Sequence, residues 1–304
     1  MSTLFSHFSE KINQISPLES DFTEVLNSIA LKPKILYFYG KMPENVSKQR
    51  PKTVAIVGSR HNTKYGEEVA YKLAYELAKH NVIVISGLAY GIDSIGHRGC
   101  LDGGGTTIAV LGTPIDQIYP VNHRRLAEEI IAKNGAIISE YAPGAKVFMR
   151  TSFLERNRLI AGLSDIVVVV EAAEQSGSLN TATHAIEQGK TVFAVPGNIT
   201  NPYSQGCNKL IKQGAFPYTE PDDVLRELFP EEYYKKQKRL KKSHLVGDTD
   251  VETLILQAIA SGLRKGEEIM QATNLPPEVF NQTVTLLEIK GRLRALGMNT
   301  WSLI

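Results

Sequence analysis

Between about residues 50 and 220 the chain alternates between two patterns. Short runs of branched apolar residues recur: "TVAIVG", "VIVIS", "TIAVLG", "AIIS", "DIVVVVE" and "TVFAVPG". Helix-length stretches separate most of them. The clearest spans 64–80, where Val69, Ala70, Leu73, Ala74, Leu77 and Ala78 fall on one face at helical spacing. Near-continuous apolar strands mean burial on both faces. The pattern therefore predicts an α/β fold, an extended Rossmann-like and mostly parallel sheet with helices on both faces. In such sheets ligands bind beyond the carboxyl ends of the strands, so the residues just after each strand are the ones to examine.

The pattern also divides the chain. We expect a short helical extension over 1–33, a Rossmann-like core over 34–225, a basic linker over 226–249 and a small winged-helix-like domain over 250–304. The linker contains "KKQKRLKKS", residues 235–243, with six basic residues and no acid, which suits a solvated tether or a DNA-binding arm. Three amphipathic segments and the hairpin pattern "RLRALGMNTWSLI" follow. The third segment carries Glu278, Glu288 and Lys290 but no arginine row, so protein docking is the stronger expectation for this unit and DNA contact the weaker.

Composition changes this picture little. A formal net charge of +2 over 304 residues leaves any nucleic-acid case to local patches. Cys100 and Cys207 lie far apart, form no metal spacing and fit a reducing cytoplasm. The N-terminal residues have no signal-peptide core, and the longest apolar runs are too short to span a bilayer.

The strand ends carry the chemistry. The first ends in Gly58-Ser59-Arg60, where amides and a hydroxyl suit an oxyanion and the guanidinium suits phosphate; pairing of Arg60 with a structural carboxylate is the alternative. The second ends at Ser86-Gly87. Asp93 and His97 then follow four apart on a helix, as a structural pair that locks the loop or as an acid/base pair. In "TSFLERNRLIAG", Arg156 and Arg158 are two apart, so one is expected on phosphate and the other on a strand-end carboxylate, Glu140 or Glu171. Phe153 beside them suits base stacking or a place in the core. Ser176-Gly177-Ser178 opens a helix as an anion nest, with Ser178 as the expected cap and Thr181 in the first turn. Lys209 stands near a further glycine-serine turn. Asn157 and Gly87 complete the candidate phosphate contacts. Several such turns along one sheet edge make a track suited to a single-stranded polynucleotide.

In order, "VAIVGSRHNTKYG", "SGLAYGIDSIGH", "TIAVLGTPIDQIYPVNHRRL", "ISEYAPG", "FLERNRLIAGLSDIVVVVEAAEQSGSLNTATHAIEQGK" and "VFAVPGNITNPYSQGCNKLIKQGA" resemble the DNA-processing protein A (DprA/Smf) family. The resemblance implies a single-stranded DNA-binding protein of natural transformation, usually a homodimer, that protects incoming DNA and helps load the RecA recombinase. It implies no enzyme, cofactor or metal. Carried over by residue, Arg60 and the segment Arg150, Phe153 and Arg156 would be DNA contacts. The chain departs from the family pattern at Thr113-Pro114, Leu154 and Gly96. The alternative is a nucleotide enzyme of the lysine-decarboxylase-like nucleoside-monophosphate phosphoribohydrolase type, although "EQSGSLNT" lacks that group's glycine-rich turn. A NAD-dependent enzyme fails on the first strand turn, which has no G-x-G-x-x-G.

Overall fold

A computed structural model describes residues 11–45, 49–231 and 245–303. They divide into two compact units, the first ending at Leu228 and the second beginning at Phe229.

The first unit is built on one nine-stranded sheet. Its strands are β1 (Asn13–Ile15), β2 (Leu36–Gly40), β3 (Thr53–Val57), β4 (Ile83–Ser86), β5 (Thr107–Val110), β6 (Ala136–Ser139), β7 (Ile166–Val169), β8 (Thr191–Ala194) and β9 (Phe216–Pro217). The order across the sheet is β1-β2-β6-β5-β4-β3-β7-β8-β9. The six apolar runs of the sequence pattern are β3 to β8, all parallel to their neighbours within that set. From β3 the chain steps outward through β4, β5 and β6, then returns to lay β7 on the other side of β3. That reversal opens a crevice beyond the carboxyl ends of β3 and β7.

Burial of both strand faces explains why the runs are so uniformly apolar. On one face Ala55, Val57, Val167 and Val169 pack under Leu159, Ile160 and Leu163 of α4 (Met149–Leu163) and Ala182 and Ala185 of α5 (Gly177–Glu187). On the other, Ala109 and Ile137 meet Leu126, Ala127 and Ile130 of α3 (Arg124–Ala132), and Ile56 meets Gly96 of α2 (Ile92–Asp102). Helix α1 (Lys64–Lys79) packs along α2 and buries Ala70, Leu73, Ala74, Leu77 and Ala78 as expected, whereas Val69 is only half-buried. Each fully buried aliphatic side chain contributes about 1.5–3 kcal/mol. Helices α6 (Gln205–Lys212) and α7 (Pro221–Leu228) complete the unit.

The expected helical extension over 1–33 differs in its described part. Residues 13–15 form an edge strand antiparallel to β2, and only two single-turn 3-10 segments follow, at Pro17–Glu19 and Glu24–Ser28. Phe22 and Leu26 from this stretch are fully buried in the α4 side of the core, so it is part of the core and not an appendage. A three-residue strand is too short to show alternation, and it forms because β2 offers it an open edge. The basic run 235–243 lies outside the described residues.

In the second unit α8 (Asp250–Ala260), α9 (Gly266–Thr273), α10 (Pro277–Ile289) and the hairpin β10 (Leu293–Gly297)–β11 (Thr300–Leu303) follow in the expected order. They close around Ile255, Leu256, Ile269, Phe280, Val284 and Leu287. Two charges expected on an outward surface are instead spent within the unit. Glu288 accepts a hydrogen bond from Trp301 Nε1 at 2.6 Å, and Lys290 pairs with Asp248 at 2.6 Å and Glu252 at 2.7 Å.

Candidate nucleic-acid interface

The crevice at the strand reversal is a cavity of about 520 Å³. Its walls come from the turn after β3 (Gly58, Ser59, Arg60), from α4 (Phe153, Arg156, Asn157) and from the start of α5 (Ser176, Gly177, Ser178, Thr181), with Asp93 of α2 at its base. Sequence-distant strand ends thus meet at one place. Of the predicted contacts, Gly87, Arg150 and Lys209 are not among the lining residues, and Gly87 lines the smaller neighbouring cavity instead. Arg150 is exposed, and Lys209 lies 3.7 Å from Glu174 on the surface.

The β3 turn is strapped down everywhere except at its arginine. Ser59 N donates to the Glu171 carbonyl at 2.7 Å, and Ser59 Oγ closes on His61 N and O at 3.1 and 2.9 Å. The buried Glu171 carboxylate accepts from Thr63 N at 2.9 Å and Thr63 Oγ1 at 2.6 Å. The Ser59 hydroxyl is therefore committed to its own turn. Arg60 projects from it, exposed, with its guanidinium carbon 5.5 Å from the centre of the Phe153 ring. No carboxylate pairs with Arg60 among the described residues. A cation over an aromatic face keeps its in-plane N–H donors available.

Arg156 approaches the same ring from the interior, its guanidinium carbon 5.9 Å from the ring centre. It is 4% exposed. Nη1 donates to the Gly87 carbonyl at 2.8 Å and also to the Val110 carbonyl, while Nε reaches Asn157 Oδ1 at 3.3 Å. Burial pushes its pKa down to about 10, countered by nearby Asp93 and assisted by Arg60, so it stays cationic at neutral pH. From its place on the cavity wall, Arg156 thus ties β4, β5 and α4 together through Nη1 and Nε. A side chain at Gly87 would meet this guanidinium at 2.6 Å, which is why the turn after β4 needs glycine. Arg158 points the other way and pairs with Glu140 at 2.6 Å, as the helical offset required. Glu171, the other carboxylate considered, holds the β3 turn.

Asp93 and His97 share a helix but do not pair. Asp93 Oδ2 accepts from Gly87 N at 3.1 Å and Ala89 N at 3.3 Å. Burial raises its pKa, while Arg156 and these amides pull it down. His97 turns into the core against Thr107 Oγ1 at 2.7 Å. That hydroxyl donates to the Val84 carbonyl at 2.7 Å, so His97 carries its proton on Nδ1, and its buried Nε2 has no partner. Burial, then His123 and Arg156, lower its pKa to about 3. A first-turn residue reaches back to the preceding loop, and one turn later the same face looks into the sheet. Hence the acid/base alternative fails: His97 does not line the cavity.

On the opposite wall Ser176 is the cap, not Ser178. Its Oγ accepts from Ser178 N at 3.4 Å and lies 2.8 Å from Ser178 Oγ. Asn157 Nδ2 steadies this start from behind, donating to the Gly177 carbonyl and Asn180 Oδ1, each at 3.2 Å. Thr181 is 1% exposed, lines the cavity and makes no side-chain hydrogen bond among the described residues. A helix start, an exposed arginine and an unpartnered hydroxyl lining one cavity are chemically suited to an anion.

The sequence alone missed Tyr90, Tyr119, Gln175 and Tyr203. Tyr203 and Gln175 line the main cavity, and Tyr90 and Tyr119 flank a smaller one that shares Arg60, Ala89 and Phe153 with it. Phe153 is half-buried between Tyr119, 5.5 Å away centre to centre, and Gly112, where a Cβ would meet the ring at 2.6 Å. Among the described residues no helix is long and apolar enough to cross a membrane, and no group of three or more His, Cys, Asp or Glu could hold a metal.

Fold and cavity together define a doubly wound α/β protein with a crevice at the strand reversal. The chain belongs to the DNA recombination-mediator protein A family, whose model matches residues 13–229. It is 47% identical over 175 residues to the Escherichia coli Smf protein, covering 58% of this chain and 46% of that one. The Streptococcus pneumoniae DNA processing protein A superimposes with a TM-score of 0.63 at 37% identity, over 72% of this chain and 75% of the other. The Helicobacter pylori DNA processing protein A, described for its single-stranded DNA binding mode, gives 0.60 at 33% identity, over 68% and 93%. The chain spans about half the length of several curated relatives.

Proposed function

We propose that the cavity binds single-stranded DNA and that the protein acts as a recombination mediator, not as an enzyme. The observation that carries this is the placement of an exposed Arg60, free of any carboxylate among the described residues, and the capped start of α5 on one cavity. A backbone phosphate sits between the guanidinium fork and the Gly177 amide at the capped start of α5, with the Thr181 hydroxyl as a further donor. An open strand can thread such a crevice, whereas a duplex, with its bases paired inside, cannot lay one into it. The phosphoribohydrolase alternative has no support at this site. Its one lining carboxylate among the described residues, Asp93, is engaged by two amides and lies beside Arg156.

The wider role is the one the family membership supports: protection of incoming single strands in natural transformation, transfer to RecA recombinase, a homodimeric working form and a cytoplasmic setting. Titration of the full chain with oligo-dT and with a matched duplex tests the core of the proposal. Tighter binding of the single strand is expected, with a log-log salt slope of about −0.7 per phosphate neutralised. Equal affinity for both forms contradicts it.

A further inference from the structure

The small cavity beside the main one points to a second element of recognition. It holds only about 30 Å³ between Gly87, Ala89, Tyr90, Tyr119 and Pro120, with Arg60 and Phe153 as its shared wall toward the main cavity. That is room for water, not for a base. Its two tyrosines are 44% and 43% exposed and stand together, and clustered aromatic rings with polar tips are enriched at interfaces.

Both rings are fixed in place. Asn122 Nδ2 donates to the Tyr90 hydroxyl at 3.1 Å, and His123 packs edge-on against the Tyr90 ring at 4.8 Å. The loop that carries Tyr90 is pinned on three consecutive residues. Arg156 holds the Gly87 carbonyl, His123 Nδ1 lies 2.8 Å from the Leu88 carbonyl, and Asp93 accepts from Ala89 N. Leu88 is held at φ +60°, a conformation that a leucine adopts only when its surroundings enforce it. Tyr119 leans on Phe153 at 43°. An exposed ring that cannot swing away loses little entropy when a flat partner lies on it.

We infer that Tyr90, with Tyr119 beside it, is a stacking ledge for a nucleobase outside the main cavity, next along the strand from the phosphate held at Arg60. This rests on the single-strand proposal and adds a direction to it: the strand leaves the cavity over Arg60 and Phe153 toward the β4–α2 and β5–α3 loops. Stacking tolerates any base, since each has a π-face, so the ledge extends the site without imposing a sequence.

The test uses the full chain, wild type and Tyr90→Leu, titrated with a dinucleotide of thymidine and with an oligo-dT of about eight nucleotides carrying one 2-aminopurine placed at each position in turn. Tyr90→Leu keeps the bulk of an exposed side chain and is expected to keep the melting temperature. Its affinity for the longer strand should fall roughly 5- to 100-fold, the span of one lost stacking contact, and its affinity for the dinucleotide should not change. One 2-aminopurine position, quenched in the wild-type complex, should brighten in the variant. Tyr90→Phe should bind like wild type and keep the quenching. If Tyr90→Leu binds the longer strand as wild type does, with quenching unchanged, the ledge is overturned while single-strand binding stands. If wild type fails to bind either strand, the reading beneath it falls, and the ledge with it.

Discussion

Two guanidinium groups lie over the same phenylalanine, and they do opposite work. Arg60 comes from the strand turn, reaches Phe153 from solvent and has its donors unclaimed by any carboxylate among the described residues. Arg156 comes from within α4, is buried, and gives its donors to carbonyls at the ends of β4 and β5. Burying a charge is costly, so an interior arginine is tolerated when its donors and charge find partners. One that must capture a ligand has to remain hydrated until the ligand arrives. On the proposed function, the crevice divides its cations between one that builds it and one that uses it.

The largest expected effect comes from removing the builder. Arg156→Met should lower unfolding stability by about 3–5 kcal/mol, because it removes the cation beside the buried Asp93 carboxylate and the Nη1 bonds to the Gly87 and Val110 carbonyls. Chemical denaturation checks this, and Arg60→Ala, measured alongside, should melt as wild type does. A destabilised Arg60→Ala with an intact Arg156→Met would invert the comparison.

A smaller effect sharpens the interior side. His97 is buried neutral, with a folded pKa of about 3 against an ordinary 6.5. Between those values the unfolded chain binds a proton that the folded one does not, so stability falls as pH falls. The slope is about 1.4 kcal/mol per pH unit, or about 2 kcal/mol from pH 6.5 to 5. His97→Gln keeps a partner for Thr107 and should flatten that slope relative to wild type in parallel melts. An equal slope in both proteins would mean that other groups govern the acid limb.

Much of this was legible in the chain itself. Six branched apolar runs marked β3 to β8 because a strand covered on both faces leaves no room for polar residues. The two-residue offset of Arg156 and Arg158 placed them on opposite sides of a helix, and the Arg158–Glu140 pair followed. Which arginine turned inward could not be read, since that depends on where α4 crosses β4 and β5. Ser178 looked like a cap because it precedes the apolar face, but the helix begins two residues earlier and Ser176 takes the role. Tyr90 and Tyr119 carried no signal: one follows β4, the other β5, and only the parallel order brings their loops to the Arg60 turn. Asp93 and His97 had pairing distance along the helix, but stronger partners waited in the loop and in the sheet.

The central claim is that Arg60 is the phosphate-binding cation of the crevice. Its most direct test is oligo-dT affinity across a range of salt for wild type, Arg60→Lys and Arg60→Ala. Arg60→Ala should lose about 1.5–3 kcal/mol, tenfold or more, and its log-log salt slope should shrink by about 0.7, one phosphate, with no change in melting temperature. Arg60→Lys should keep the slope and recover only part of the affinity, since a point charge cannot grip two oxygens. Wild-type affinity and slope in a folded Arg60→Ala would contradict the account.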